Sequence, residues 1–327
     1  MTGKPHEKGI HSKGISAALS SAFFLGLAPI FGKAAIQNGA PPLAAVAFRT
    51  LLAATLLFLV LLFFRRKYFY IYPAGLLGCL LAGGINGLGS LFYYSALARI
   101  DAALGHLLYL LYPFFVALWL WFDHQPPSRL TALRLALILP GLFFLTHANH
   151  YAIDTLGVLQ MLVAAALYAL HLPINQRVLY DMPPPTVTFY TLVSMSIVVV
   201  PAFLFSTAFT PFGELAALPG AAWGAIAGLT LVTFLSRLTL FTGVKHLGGM
   251  QTALLGLGEL LVAVSSAFIF LGESFTRQQW LGATLIILSL GLVSIEKTYW
   301  QRKSHGGWLS WINTTRLPAD LTWHSPD

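Results

Sequence analysis

Between His246 and Glu273 the chain reads HLGGMQTALLGLGELLVAVSSAFIFLGE, and from 247 to 272 the only formally charged side chain is Glu259. A helix rises 1.5 Å per residue, so this run is long enough to cross the ~30 Å hydrocarbon core of a bilayer. An ionised carboxylate at that depth costs about 2.5 to 3.5 kcal/mol on insertion scales, so the fold must give it a partner, a proton or water. At helical spacing Thr252, Gly256, Glu259, Ala263 and Ser266 share one small, polar face, while Leu254, Leu257, Leu261, Val264 and Phe268 fall mostly elsewhere. The polar face is expected to look inward, toward protein or water.

The rest of the chain has the same character. Hydrophobic residues make up 57% of the 327 and charged residues only 9%, against about 25% charged in a soluble domain. The apolar residues come in continuous runs rather than in alternation, which predicts an all-α integral membrane protein and not a β-barrel. The single cysteine, Cys79, sits in such a run and can form no intrachain disulfide.

Ten spans are expected, at about 14–36, 43–64, 70–97, 102–122, 130–146, 155–175, 186–207, 220–242, 246–273 and 278–295, flanked by segments 1–13 and 297–327. A signal peptide competes for the first run. That run is long for such a segment, contains Lys33 and leads into further spans, so it is taken as a span. With the amino terminus inside, fourteen basic residues fall on the cytoplasmic side: Lys4, Lys8, Lys13, Arg65, Arg66, Lys67, Arg129, Arg134, Arg177, Lys245, Lys297, Arg302, Lys303 and Arg316. Only Arg99 and Arg277 fall outside, and Lys33, Arg49 and Arg237 lie within spans. Both termini are therefore expected in the cytoplasm, and the net charge of +8 is orientation charge rather than a nucleic-acid surface.

The chain also repeats itself. Pro29-x-x-x-Lys33 in the first span is matched by Pro173-x-x-x-Arg177 in the sixth, and Arg99 to Ala103 aligns with His246 to Met250 at an offset that also pairs Tyr112-Pro113 with Glu259-Leu260. Glycines of the third span (Gly75, Gly78, Gly83, Gly87) correspond to the ridge Gly220, Gly224, Gly228 of the eighth, and both sets are expected to pack closely against another helix. Five spans is an odd number, so the second copy, 153–296, must be inverted relative to the first, 14–147. Repeats of this kind place a binding site near the bilayer midplane.

These residues resemble the EamA-type transporters of the drug/metabolite transporter superfamily. The likeness covers roughly residues 14–296 and is strongest over Lys245 to Gly249, Glu259, Leu271-Gly272-Glu273 and Gln279-Trp280-Leu281-Gly282. It implies an inner-membrane carrier that moves a small metabolite, an amino acid or related organic solute, by alternating access, with efflux the expected direction. It also implies a central cavity lined by spans one, three, four, six, eight and nine. Members often carry Glu-Pro in both the fourth and ninth spans. Here the first copy has Tyr112-Pro113 and the second Glu259-Leu260, and the first copy ends in Asp123-His124-Gln125 where the second has Gly272-Glu273.

Glu259 is either a substrate or proton-coupling group, or an acid that hydrogen-bonds between helices. Arg237 can pair with an acid or anionic substrate, but its distance from the cytoplasmic end predicts a snorkelling side chain. Arg49 is the deeper of the two cations near the outer side and is expected to face the cavity, with Lys33 an interfacial anchor. His106, Tyr109 and Pro113 share a face of the fourth span, and His106 either titrates or is satisfied by a neighbouring helix. Thr252, Asn86 and His171 complete the cavity candidates, with Tyr93 and Tyr94 weaker ones. His147, His150 and Asp154 invite a metal reading, but loop histidines without a second cluster are usually solvated, so no metal is expected. The sequence contains no Walker loop, HExxH, nucleophile elbow or paired catalytic carboxylates, so no enzyme and no cofactor is expected. An uncoupled facilitator, and more remotely a membrane-embedded enzyme or assembly factor, are the alternatives. The partners expected are a small-molecule substrate, the lipid bilayer and a coupling proton, with a monomer or homodimer equally compatible. The tail, with Trp308, Trp311 and Trp323, is expected to lie on the membrane surface or stay unfolded.

Overall fold

The computed structural model describes residues 5–97, 99–100, 105, 108–146, 154–206, 218–262, 265, 277–292 and 307–312. Among them regular structure is helical throughout. The helices are α1 (Pro5–Gln37), α2 (Pro42–Phe64), α3 (Pro73–Leu97), α4 (Tyr112–Phe122), α5 (Arg129–Thr146), α6 (Thr155–Leu179), α7 (Pro184–Ser206), α8 (Gly220–Leu247), α9 (Gly249–Gly256) and α10 (Arg277–Gly291), with 3-10 turns at Arg66–Phe69 and Ser310–Ile312. Among the described residues six helical stretches are long and apolar enough to cross a membrane: Ser12–Gln37, Pro42–Phe64, Pro73–Ala96, Thr155–Leu179, Pro184–Ser206 and Gly220–Leu247. Three shorter apolar helices, Tyr112–Phe122, Gly249–Val262 and Trp280–Ser289, accompany them.

Proline sets several helix starts. Pro42, Pro73 and Pro184 occupy first positions, where the missing N–H has no helical partner to lose. Helix α1 begins at Pro5, ahead of the expected boundary, because no further proline interrupts the chain before Pro29. Asp154 caps α6: its carboxylate accepts from the N–H groups of Leu156 at 2.9 Å and Gly157 at 3.2 Å. The Gly157 N–H, with Arg99 nearby, holds this carboxyl below its ordinary pKa.

Two antiparallel pairs organise the packing. Helix α1 runs along α8: a Cβ placed on Gly14 would sit 2.7 Å from Leu247 Cγ, and one on Gly228 would sit 2.6 Å from the Phe31 ring. Helix α3 runs along α6 in the same manner, with Gly78 against Val178, Gly89 against Leu167, and Gly157 against Ile100. The starts of α1 and α3 and the ends of α6 and α8 therefore gather on one side, where Lys245 Nζ donates to the Met182 carbonyl at 3.0 Å. Helix α6 runs opposite to α1, and exchanging the two halves maps the α1–α8 pair onto α6–α3. Helices α2 with α7, α4 with α9, and α5 with α10 each pack against their own counterparts.

The two glycine ridges behave differently. Gly83 and Gly87 of α3 face α7, where added Cβ atoms would lie 2.6 Å from Ser194 Cβ and 2.9 Å from Val198 Cβ. In α8 the expectation of a closely packed ridge fails among the described residues: a Cβ on Gly220 or Gly224 would meet none of them within 4 Å, and of the three only Gly228 is tightly covered. The contact with α1 there is taken by the apolar face of Ala225 and Ile226, which packs on Ala35. Small residues permit close approach but do not demand it.

The fourth and ninth spans, expected as continuous helices, are both broken. The chain is helical at 108–109, turns at Leu110 and Leu111, and resumes as α4, with Phe114 N–H reaching back only to Leu111 O at 3.0 Å. The stretch 246–273 first breaks at Gly248, at φ 85°, and α9 breaks again at Leu257 before helix resumes to Val262. Leu260 N–H bonds Leu257 O at 3.1 Å, so this turn is also tightened. Pro113, which has no N–H, accounts for the first break, and Gly256 and Gly258 flank the second. Leu110 and Leu257 are equivalent under the offset that pairs Tyr112 with Glu259.

Gly83→Leu should overpack the α3–α7 contact and destabilise by about 1 to 3 kcal/mol, read as a lowered melting midpoint of the purified protein. Gly224→Leu, with no described residue close to it, should melt like the parent.

Candidate functional site

The polar side chains of the helix interior meet at one depth. Glu259 lies ten residues beyond the start of α9, Arg237 ten residues before the end of α8, and His171 eight before the end of α6, so all three sit about 12 to 15 Å from the same side. Arg237 is only 9% exposed and does not snorkel, contrary to the expectation for its position. Its Nη1 is 3.4 Å from His171 Nε2. The side-chain oxygen of Asn86, in the amide orientation that satisfies both groups, accepts from Nη2 at 3.0 Å and Nη1 at 3.2 Å. The guanidinium also lies over the Tyr168 ring, 5.8 Å from its centroid. His171 Nδ1 bonds the Tyr168 carbonyl, which places the ring proton there and turns the Nε2 lone pair toward Arg237. The cation is thus held by neutral partners and desolvated in place.

Glu259 is likewise 9% exposed and forms no hydrogen bond or ion pair among the described residues. It is within electrostatic reach of Arg237 and of Tyr93, Tyr109, Tyr112 and Tyr168. Those tyrosines form a continuous wall, with ring centroids 5.0 Å apart for Tyr93–Tyr109, 5.3 Å for Tyr109–Tyr168 and 5.0 Å for Tyr112–Tyr168. His171 lies beside Tyr168, with ring centroids 4.7 Å apart and the planes tilted by 50°. Tyr112 has a second task. Its hydroxyl donates at 2.9 Å to the carbonyl of Ala253, in the last turn of α9, where the break leaves carbonyls without helical partners. Gly26 of α1 closes the other side: a Cβ there would lie 2.7 Å from the Glu259 carbonyl oxygen.

Of the residues singled out in the sequence, the structure brings together Glu259, Arg237, His171, Asn86 and Tyr109, with Tyr93 and Tyr94. Arg49 stands at the edge, half-buried, in electrostatic contact with Tyr93, and its Nε is buried without a hydrogen-bond partner among the described residues. Thr252 does not join. Its hydroxyl donates to Gly248 O at 2.9 Å within its own helix and its methyl faces Gly243, because the break at Leu257 ends the face it was expected to share with Glu259. His106, Lys33's side chain, Ala263, Ser266, His147 and His150 lie outside the described residues. Asp154 is occupied as a helix cap.

Two contributors escaped the sequence: Tyr168, three residues before His171 on the same helical face, and Tyr112, whose equivalence to Glu259 was the available signal. Two basic residues counted as cytoplasmic orientation charges are also buried. Arg134 Nε donates to Ser289 O at 2.9 Å and its Nη1 bonds Gln251, while Arg177 pairs with Asp123 at 2.6 Å.

This arrangement defines a class: a multi-pass helical membrane protein made of two repeats, with its interior polar groups gathered between them. The family model for the EamA-like transporter family matches residues 12–147 and 155–295, both halves of the chain, and the chain belongs to that family. The family is one of transporters. A solved structure described only as "Crystal structure of protein" is similar, with 15% sequence identity and a TM-score of 0.72, covering 86% of this chain and 98% of its own. At that identity it shows the fold alone. A search of the curated proteins finds no match.

Tyr112→Phe keeps the ring and removes the hydroxyl that satisfies Ala253, so it should destabilise by about 1 to 3 kcal/mol, measured by thermal unfolding. Tyr93→Phe, whose hydroxyl bonds no described residue, should leave the midpoint in place.

Proposed function

We propose that this protein is a ten-span secondary transporter that works by alternating access between two inverted five-helix halves, and that it exports a small zwitterionic metabolite, an amino acid or close relative, across the inner membrane. The observation that carries this is the unbonded Glu259 carboxylate facing a fixed Arg237 among tyrosine rings, between helices of both repeats, beside two helix breaks. Arg237, held by Asn86 and His171, suits a carboxylate of the solute. Glu259 and the tyrosine faces suit its ammonium group, through charge and cation–π attraction. Arg49 stands ready at the outer rim.

Glu259 then has one carboxylate for two cations, the solute's ammonium and a proton. Competition for a single site makes the two exchange rather than travel together. With protons driven inward, solute leaves. Broken helices serve this reading well, because irregular backbone is tolerated at membrane depth only where protein or a cavity covers it.

A panel of metabolites screened by thermal stabilisation identifies the solute, since a ligand that binds only the folded state raises its melting midpoint. In liposomes, Glu259→Gln should lose proton-driven accumulation altogether and weaken, without abolishing, solute-for-solute exchange, which Arg237 and the tyrosine faces still support. Loss of both together would make Glu259 a solute ligand alone, and parental behaviour at every pH would remove it from the site. Both termini are expected in the cytoplasm, from the distribution of basic residues. A carboxy-terminal reporter active only in the cytoplasm should therefore give signal, and a silent one overturns this orientation.

A further inference from the structure

A short piece of chain beyond both repeats packs against α3, α4 and α6. Residues 307–312, which follow α10 in the chain, turn into the 3-10 segment Ser310–Ile312 and lie against α3, α4 and α6. Their backbone is fastened at two points. Leu309 N–H donates to Asp123 Oδ1 at 3.3 Å, and the Ile312 carbonyl accepts from the Tyr72 hydroxyl at 2.9 Å. Leu309 and Ile312 are fully buried and enter the same core cluster as Tyr72, Leu120, Val178 and Met182. Gly307 has φ 83°, and a Cβ there would lie 2.8 Å from the Asp123 carbonyl oxygen, so the approach of this segment depends on glycine.

The seat of the segment joins the two repeats. Asp123, at the end of α4, accepts through Oδ2 from Arg177 Nε at 3.1 Å and Nη2 at 2.6 Å, and from Gln125 Nε2 at 2.8 Å. The pair is buried, with 0% and 1% of the side chains exposed. Asp123 belongs to the first repeat and Arg177, on α6, to the second.

We infer that residues 307–312 are an intramolecular latch, which holds this end of the transporter shut by filling the seam between α3 and α4 of one repeat and α6 of the other. The inference rests on the alternating-access reading. Opening this end moves α6 away from α4, which breaks the Asp123–Arg177 pair. While Leu309 and Ile312 fill the seam and Leu309 N–H occupies Asp123, the segment must leave before the pair can part. Trp308 and Trp311, 43% and 40% exposed, sit on its outer side, where aromatic rings favour the membrane interface. Release of the segment is then the regulated step that admits solute from this side.

Cys79 supplies a reporter that does not depend on knowing the solute. It is the chain's only cysteine, fully buried on α3 within the core cluster that receives Leu309 and Ile312. Full-length protein in liposomes is treated with a small maleimide, alongside Leu309→Pro, which removes the donated N–H, and a chain ending at residue 306. Both variants should label Cys79 about tenfold faster, as an easier local opening requires. A synthetic peptide of residues 305–316 should return the shortened chain toward the parental rate. Equal labelling of all three proteins overturns the latch, as does faster labelling that comes only with loss of the folded helical signal. Uptake of the solute found by the stabilisation screen should also rise in the two variants. If the parent transports no solute tested, the transporter reading falls, while the labelling rates still decide whether the segment gates this end.

Discussion

Hydrocarbon offers no hydrogen bonds, so every backbone group that leaves a helix inside the membrane must be satisfied by the protein itself. This constraint organises the interior. The fourth and ninth spans each break near their middle, at Leu110–Leu111 and at Leu257, and contacts from neighbouring helices cover the second break. Tyr112, beside the first, donates to Ala253 in the turn before the second. Gly26 brings the backbone of α1 directly onto the carbonyl of Glu259 just beyond it. Breaks placed this way turn Tyr109, Tyr112 and Glu259 toward one another, and the candidate site is their meeting point.

The two buried arginines on the second repeat show how differently such groups can be held. Arg177 meets a carboxylate in direct contact, and that carboxylate is shared with a glutamine and a backbone N–H. Breaking a buried pair of this kind is costly, because it leaves a desolvated charge without compensation. Arg237 is held by an amide oxygen, an imidazole nitrogen and a ring face, all of them neutral. Its charge is oriented but not cancelled by direct contact. The first arrangement suits a lock and the second a binding site for an anionic group.

Much of the fold was legible in the sequence, for a physical reason. Apolar length and basic loops are read by the bilayer one segment at a time, so they need no tertiary information. The repeat was legible as well, through Pro29-x-x-x-Lys33 and Pro173-x-x-x-Arg177 and through the pairing of Tyr112 with Glu259. The fate of individual small or charged residues was not. Gly83 packs tightly and Gly224 meets none of the described residues, although both lie in glycine ridges of similar spacing. Arg134 and Arg177 count as orientation charges in the sequence, yet both side chains are buried.

The sequence by itself determined that this chain is helical, membrane-embedded and duplicated, and that one acid, Glu259, must be compensated deep inside it. Those properties follow from composition and order along the chain. Only the tertiary structure decided which groups gather around that acid, because Arg237 with its partners Asn86 and His171, and the four tyrosines, come from α3, α4 and the turn before it, α6 and α8, and their distances are set by helix packing. It also decided that Thr252 turns away and that Leu309 reaches Asp123. A face drawn on a continuous helix ends where the helix breaks, and a contact across 186 residues leaves no periodic trace in the sequence.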